Sequence, residues 1–234
     1  MRKLGMIGGM SWVSTGIYYE RINRIVQRRG APMASAPLLI ESLDFAQLHA
    51  IRDDKDWKRA SEVLCESARR LEGAGAEGLI IAANSMHKLY EDVSEGVDIP
   101  ILHIADHLGT ALKSSGHKTA ALLGTRNVMT ESFYRKRLVA QGIDLLPPDM
   151  ANVETLDAII YDELMVGKVT RDAQRSLKTM ITNKAQEGAD AIVLACTELD
   201  LIVDVDANVL PVFDSTRFHC EAAANWILGQ DNAG

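Results

Sequence analysis

Short apolar runs alternate with longer amphipathic segments along most of the chain. The apolar runs are typical of buried strands, because each is short and is bounded by glycine, proline or polar residues; they cover residues 3–9, 37–41, 78–83, 100–102, 118–124, 190–195 and 209–212. Apolar spacing predicts helices over residues 15–29, 56–72, 89–94, 105–114, 128–141, 152–166, 171–187 and 216–228. Ser14 or Thr15 is the expected cap of the first helix. This order of elements predicts an α/β fold with parallel sheets flanked by helices.

The second half of the chain repeats the first. Residues 75–85 align with residues 188–198 at a constant offset of 113, and residues 3–9 match residues 118–124 at an offset of 115. Buried strands that follow helices resemble one another in general, but two matches at nearly the same offset favour duplication. We therefore expect two similar parallel-sheet lobes related by pseudo-twofold symmetry: residues 1–114 with 214–234, and residues 115–213.

The aligned strands end in chemically different tripeptides. Residues 83–85 read Ala-Asn-Ser, whereas residues 196–198 read Cys-Thr-Glu. Ligands of α/β sheets bind beyond the carboxyl ends of the strands, so facing lobes would present these tips to opposite sides of one ligand. That arrangement suits inversion of a carbon centre, and it predicts an active site at the lobe interface. Cys196 is the candidate acid/base, provided that the helix start expected at Thr197 lowers the pKa of its thiol.

Removing a Cα proton from an amino acid also requires donors that stabilise the carbanion and bind the α-carboxylate. Backbone amides and hydroxyls at the predicted strand tips are candidates; they belong to Gly8, Gly9, Met10, Ser11, Asn84, Ser85, Thr125 and Thr197. The same residues also suit ordinary helix capping and, at the glycines, a tight turn. The two roles are compatible because a helix cap is also an anion site.

Charge and cysteine content narrow the class of protein. A formal net charge of −7 with no basic cluster argues against nucleic acid as a partner. No apolar run approaches the length of a membrane span, and no secretory signal is evident, so we expect a cytoplasmic protein. The three cysteines lack close pairs and no His/Asp/Glu cluster has metal-ligand spacing, which predicts reduced thiols and no metal. Cys65 and Cys220 are expected to be packing residues.

Three segments together resemble the motifs of the aspartate/glutamate racemase family. They are residues 8–15 (Gly-Gly-Met-Ser-Trp-Val-Ser-Thr), residues 83–88 (Ala-Asn-Ser-Met-His-Lys) and residues 195–199 (Ala-Cys-Thr-Glu-Leu). The resemblance spans essentially the whole chain. It implies two similar lobes, homodimers, and racemisation of an amino-acid substrate by two thiols without pyridoxal phosphate or another cofactor. It also places substrate contacts at Glu198 and side-chain-binding cations at Arg52 and Lys168; a cation there would favour aspartate or glutamate.

The chain departs from the family at one of the two thiol positions. Members with two catalytic cysteines have Cys-Asn-Thr in the middle motif, where this chain has Ala83 and Ser85, and the internal alignment also pairs Ala83 with Cys196. Alanine cannot transfer a proton, which excludes the symmetric two-thiol mechanism. A racemase would then take its second proton donor from Ser85, His87 or a bound water. The alternatives are decarboxylation or isomerisation at Cys196, and a catalytically impaired amino-acid-binding protein.

Overall fold

The computed structural model describes residues 1–48, 54–203 and 208–230. The strands are β1 (Leu4–Gly8), β2 (Leu38–Ser42), β3 (Gly78–Ile81), β4 (Ile101–Leu102), β5 (Thr119–Gly124), β6 (Asp144–Leu145), β7 (Ala191–Ala195) and β8 (Val212–Asp214). The helices are α1 (Trp12–Arg29), α2 (Asp54–Gly73), α3 (Tyr90–Glu95), α4 (Ile104–Ser114), α5 (Arg126–Thr130), α6 (Ser132–Ala140), α7 (Met150–Ala158), α8 (Arg171–Gln186) and α9 (Ser215–Leu228). They form two compact units, Met1–His103 with His219–Gly234, and Ile104–Phe218.

The first unit is a parallel sheet in the order β2-β1-β3-β4. Its central strands β1 and β3 are buried along their whole length, because helices cover both faces of the sheet. One face packs against α1 and α9 through a cluster that includes Tyr18, Ile22 and Trp226. The other face packs against α2 through a cluster that includes Leu64 and Leu71.

The second unit repeats this architecture. Its parallel sheet has the order β6-β5-β7-β8, which is the same succession of strands as in the first unit. Helices α7 and α8 cover one face, where Leu156 and Leu177 are buried. Helices α4, α5 and α6 cover the other, where Leu108 and Tyr134 are buried. The α/β class and the two similar parallel sheets are therefore confirmed.

The strand register corrects one of the two sequence offsets. Ile7 pairs with Ile81 in the first sheet, and Leu123 pairs with Leu194 in the second. Because Ile81 and Leu194 are related by the offset of 113, Ile7 corresponds to Leu123, an offset of 116 rather than 115. The alignment of residues 3–9 is thus one residue out of register. Apolar composition alone does not distinguish neighbouring positions in a strand that is buried on both faces.

Several element boundaries also differ from the sequence-based expectation. Helix α4 belongs to the second unit, because Ile104, Leu108 and Leu112 pack in its core, whereas the sequence pattern predicts a division after residue 114. The predicted helix 128–141 is two helices separated by Glu131 in an extended conformation. The predicted helix 152–166 ends regular α geometry at Ala158 and continues as a π-helical turn, Ile159–Glu163.

The predicted cap of the first helix is also wrong. Helix α1 begins at Trp12, and Ser11 is its cap, with the Ser14 amide donating to Ser11 Oγ at 3.3 Å. Ser14 and Thr15 lie inside the helix. Elsewhere, no helix among residues 1–48, 54–203 and 208–230 is long and apolar enough to cross a membrane.

Candidate active site

Cys196 lies directly beyond β7, at the carboxyl edge of the second sheet. Gly124 ends the neighbouring strand β5 and pairs with Ala195; a Cβ on Gly124 would come within 2.7 Å of the Ala195 carbonyl oxygen, so glycine allows the two strand ends to approach. Thr125 and Cys196 follow these paired residues and are therefore neighbours at one edge. Cys196 caps a 3-10 turn, Thr197–Leu201, and only 5% of its surface is exposed.

The Cys196 thiol has a carboxylate partner. Cys196 Sγ donates to Glu198 Oε2 at 3.2 Å, and Thr197 and Glu198 are both buried with it. Burial raises the pKa of Cys196 well above its ordinary value, and the negative charge of Glu198 raises it further. Backbone amides of Glu198 and Leu199 oppose this effect but do not reverse it.

The expectation that a helix start lowers the pKa of Cys196 is therefore wrong. The turn that follows is a single short 3-10 segment, which provides two amide contacts, whereas burial and the carboxylate both disfavour a thiolate. In this arrangement Cys196 is a thiol at neutral pH. It is suited to give a proton, and it becomes a base only after the proton has passed to another group.

Two further polar groups lie in the same unit. Thr125 Oγ1 is buried and has no hydrogen-bond partner among the residues that the structure describes, which leaves a donor and an acceptor for a ligand. Tyr161 lies in the π-helical turn and packs against the core cluster that contains Cys196. Burial raises the pKa of Tyr161, and the charges of Asp157 and Glu198 raise it further, so its phenol remains a neutral donor. Tyr161 was not predicted from the sequence, because only the π turn distinguishes it.

The corresponding edge of the first unit is apolar where the second has a thiol. Ala83 is buried in a cluster with Ile7, Met10 and Met86. Asn84 is buried and Ser85 is half-buried at the start of a 3-10 turn, Ser85–Leu89. The structure therefore brings Met10 together with the middle motif, as expected for two adjacent strand tips. The methyl side chain of Ala83 cannot take part in proton transfer.

Some donors expected at this edge already have partners within the protein. The Gly9 amide donates to Thr15 Oγ1 at 2.7 Å, so it serves the start of α1 and not an incoming carboxylate. Gly9 is required for its backbone conformation: its φ is +84°, and a Cβ would lie 2.1 Å from the Leu43 carbonyl oxygen. Ser11 Oγ is engaged with Ser14. The tight-turn and capping roles are thus satisfied here.

Three buried histidines lie close together in the first unit. His87 Nδ1 is 2.8 Å from the Ala83 carbonyl oxygen. The His87 ring centroid lies 4.5 Å from that of His103 and 5.7 Å from that of His219. Of these, His87 alone was a candidate from the sequence. His103 follows β4 directly at the carboxyl edge, a signal that the strand pattern contains, whereas His219 lies within α9 and carries no such signal.

The two candidate cations for the substrate side chain are differently placed. Lys168 is exposed and follows Gly167, which has a left-handed conformation with φ of +77°. The preceding 3-10 turn, Leu164–Val166, packs against the Thr197–Leu201 turn, so Lys168 lies two residues from an element that contacts the Cys196 turn. Arg52 lies outside the described residues. The other two cysteines make packing contacts. Cys65 lies on α2, and its Sγ donates to the Asp92 carbonyl oxygen, whereas Cys220 is fully buried in α9.

Comparison with known proteins identifies the family. The model of the Asp/Glu/hydantoin racemase family matches residues 7–223. The chain belongs to this family. It is 26% identical over 166 residues to the broad specificity amino-acid racemase RacX of Bacillus subtilis (strain 168), covering 69% of each chain. Its similarity to RacX and its family membership support an isomerase of the amino-acid racemase type.

Solved structures agree with this assignment. A candidate Asp/Glu racemase from Yersinia pestis is 37% identical with a TM-score of 0.89. The alignment includes 97% of this chain and 100% of the Yersinia chain. An aspartate racemase homologue from Pyrococcus horikoshii OT3 is 29% identical with a TM-score of 0.84. Its alignment likewise includes 97% of this chain and 100% of the homologue. The resemblance inferred from the three motifs is confirmed at the level of family and fold.

Proposed function

We propose that the protein racemises aspartate or glutamate without pyridoxal phosphate, with Cys196 as the acid/base for one face of the substrate. The observation that carries this proposal is the buried Cys196–Glu198 pair at the strand edge where the family's third motif lies. A thiol that donates to a carboxylate holds one proton that either group can carry. The Cys196–Glu198 pair can therefore exchange a proton with Cα without a cofactor.

The proposed step conserves atoms and charge. When Cys196 acts as the acid, the S–H proton goes to the Cα carbanion and leaves a thiolate. When it acts as the base, the thiol proton first moves to Glu198 Oε2, and the thiolate then takes the Cα proton. Because burial favours the neutral thiol, the first direction starts from the populated form and the second requires a prior proton transfer. We expect the two directions of racemisation to differ in their pH dependence.

Carboxylate binding is proposed for polar atoms at the carboxyl edges of the two sheets. Thr125 Oγ1 is buried at the end of β5, next to the strand end that carries Cys196, and it has no partner among the described residues. The Thr197 hydroxyl and the Asn84 amide are further candidates for the α-carboxylate. Preorganised donors of this kind stabilise the charge that develops when Cα is deprotonated. Tyr161 is an additional neutral donor in the second unit.

The proton on the opposite face must come from a group other than residue 83. Ser85, His87 and a bound water remain the candidates, and the described contacts favour His87. Its Nδ1–H donates to a carbonyl oxygen, so a proton gained or lost by the ring is exchanged at Nε2. A serine hydroxyl is a much weaker acid than an imidazolium and would make a slower enzyme.

Preference for an acidic side chain is proposed to come from Lys168 and Arg52, as the family resemblance implies. Replacing both with methionine should abolish the preference for aspartate or glutamate over neutral amino acids; unchanged specificity would overturn this assignment.

We also propose that the protein acts as a homodimer on a free amino acid, without nucleic acid or membrane. Sedimentation analysis with and without aspartate tests the oligomer.

A panel assay tests the activity. Each L- and D-amino acid is incubated with the protein in deuterium oxide, and Cα deuterium uptake is followed by proton NMR. We expect uptake with aspartate or glutamate in the native protein, and faster uptake in Ala83→Cys, which restores the second thiol. Absence of exchange with every amino acid, in both proteins, would refute the racemase.

One observation favours a second activity. A single thiol that is protonated at rest is suited to a reaction that needs one proton, such as protonation of the carbanion formed by decarboxylation. That reaction would require neither a second acid/base nor a thiolate. Carbon dioxide release from substituted malonates, with no Cα exchange in amino acids, would favour the decarboxylase over the racemase.

A further inference from the structure

Arg126 lies at the carboxyl edge of the second sheet, and its guanidinium has few partners within the protein. It follows Thr125 directly, begins α5 and has a side chain that is 42% exposed. The one ion pair that it makes in the described part of the chain joins Nε to Asp157 Oδ2 at 3.9 Å, which is beyond hydrogen-bond distance. The guanidinium N–H groups are therefore available to a ligand.

The carboxylate of Asp157 is held by the main chain and not by the guanidinium. Asp157 Oδ1 accepts a hydrogen bond from the backbone amide of Arg126 at 2.8 Å, which fixes the carboxylate at the start of α5. The ion pair itself is long, and both side chains are partly exposed, so it stabilises the protein little. The guanidinium of Arg126 can therefore turn to a ligand at little cost.

Two separate parts of the second unit place Arg126 near the thiol. Arg126 lies just beyond the end of β5, which is paired with the end of β7, and Cys196 follows β7 directly. The second connection runs through α7 and the π-helical turn. The charges of Asp157 and Glu198 both raise the pKa of Tyr161, so this phenol is within electrostatic range of the partner of Arg126 and of the partner of Cys196.

We propose that Arg126 binds the α-carboxylate of the amino-acid substrate and stabilises the charge that this group gains when Cα is deprotonated. This inference rests on the proposed function. When the Cα–H bond breaks, the proton goes to the base and the electron pair spreads onto the α-carboxylate, which then carries two negative charges instead of one. A guanidinium remains a cation and can pair with both carboxylate oxygens through parallel N–H groups. Its attraction is therefore stronger in the transition state than in the bound substrate.

The charge of Glu198 explains why a cation is needed at this edge. Its carboxylate lies 3.2 Å from the Cys196 thiol, so a substrate whose Cα meets that thiol brings its own carboxylate close to an anion. The hydroxyl of Thr125 can donate a hydrogen bond to the α-carboxylate, but it carries no net charge. Arg126 supplies the positive charge that offsets the repulsion.

Calorimetric titration with three ligands tests this contact without a measurement of turnover. L-asparagine keeps the α-carboxylate of L-aspartate but has an amide side chain, whereas the α-amide of L-aspartate keeps only the side-chain carboxylate. Arg126→Gln should bind L-aspartate and L-asparagine about 10- to 100-fold more weakly than the native protein does, because charge-assisted hydrogen bonds are lost. Its affinity for the α-amide should be unchanged.

Three results of the titration would overturn the proposal. Weaker binding of the α-amide but not of L-asparagine would place the side-chain carboxylate at Arg126. Equal binding of all three ligands by Arg126→Gln and the native protein would show that Arg126 contacts neither carboxylate. Native protein that binds none of the ligands would have no site for the α-carboxylate.

Two further variants separate this contact from a general effect of charge. Arg175→Gln is the matched control, because Arg175 also pairs with an aspartate, Asp172, in the second unit and is 75% exposed. It should bind all three ligands as the native protein does; a loss as large as that of Arg126→Gln would contradict the assignment. Arg126→Lys keeps the charge without the planar fork and should recover part of the lost affinity.

Cα deuterium exchange distinguishes failure of this inference from failure of the proposed function. With saturating L-aspartate, Arg126→Gln should lose about 10²- to 10³-fold in exchange rate, as expected when a donor to a developing negative charge is removed. Equal rates in Arg126→Gln and the native protein would leave the racemase standing and overturn the role of Arg126. If the native protein shows no exchange but its α-carboxylate binding depends on Arg126, the racemase fails and the contact stands.

Discussion

Replacing Glu198 by glutamine should turn Cys196 from a resting thiol into a more readily ionised one. Glutamine keeps the size and hydrogen-bonding capacity of the side chain but removes the negative charge that faces Sγ at 3.2 Å. Two unit charges at the 3.2 Å separation interact by about 5 kcal/mol at an effective dielectric constant of 20. If solvent and relaxation screen half of this energy, the ratio of thiolate to thiol still rises roughly 100-fold at a given pH.

Thiolate absorbance in the ultraviolet measures this change directly. The pH titration of each protein is recorded, and the titration of the matching Cys196→Ser protein is subtracted, so that Cys65 and Cys220 cancel. We expect the Cys196 transition to move to lower pH in Glu198→Gln. Asp200→Asn is the matched control, because it removes an equal charge from elsewhere in the same turn.

Two results would refute the reasoning about the thiol. An unchanged transition in Glu198→Gln would show that the carboxylate does not control Cys196. A native Cys196 that is already ionised at neutral pH would show that the amides of the turn outweigh burial. Either result would require a different account of how this site starts a proton transfer.

Three further predictions concern binding, stability and the missing thiol. Thr125→Val should raise KM for the substrate by about 5- to 100-fold, since a hydrogen bond to the ligand is lost. Its thermal stability should be equal or higher, because an unpartnered buried hydroxyl is removed. A variant that loses both substrate binding and thermal stability would contradict this role. Burial raises the pKa of Cys196 and of Tyr134, so both groups stay neutral in the folded protein at pH values where they ionise in the unfolded chain. The free energy of unfolding measured in urea should therefore be constant below about pH 8.5 and fall as pH rises through the region where unfolded thiols and phenols ionise. A free energy of unfolding that stays constant to about pH 11 would contradict this prediction. Ala83→Cys should accelerate Cα deuterium exchange by at least about 10-fold, as expected for a positioned acid/base; an unchanged rate would mean that residue 83 does not face substrate.

Much of the fold was predictable because its information is local. Buried parallel strands appear as short apolar runs, and the repeat at an offset of 113 predicted two equivalent sheets, as observed. The same uniformity explains the register error at β1, since consecutive apolar residues fit either register equally well. The breaks at Glu131 and after Ala158 were missed because they depend on tertiary packing and leave the apolar spacing intact.

The position of the candidate thiol was predictable from the sequence, but its electrostatics were not. Motif and repeat both identified Cys196, and the structure places it beside Thr125 at one strand edge. The direction of its pKa shift was predicted wrongly, because the sequence shows the following turn but not the depth of burial or the contact with Glu198.

The central claim is that Cys196 exchanges the Cα proton. It is tested most directly by following Cα deuterium uptake from deuterium oxide into L- and D-aspartate and L- and D-glutamate with native protein and Cys196→Ser, after circular dichroism has shown that both are folded. Positioned acid/base groups contribute about 10²- to 10⁴-fold, so we expect a loss of that size in Cys196→Ser for at least one enantiomer. Uptake that is equal in the two proteins for every enantiomer would contradict it.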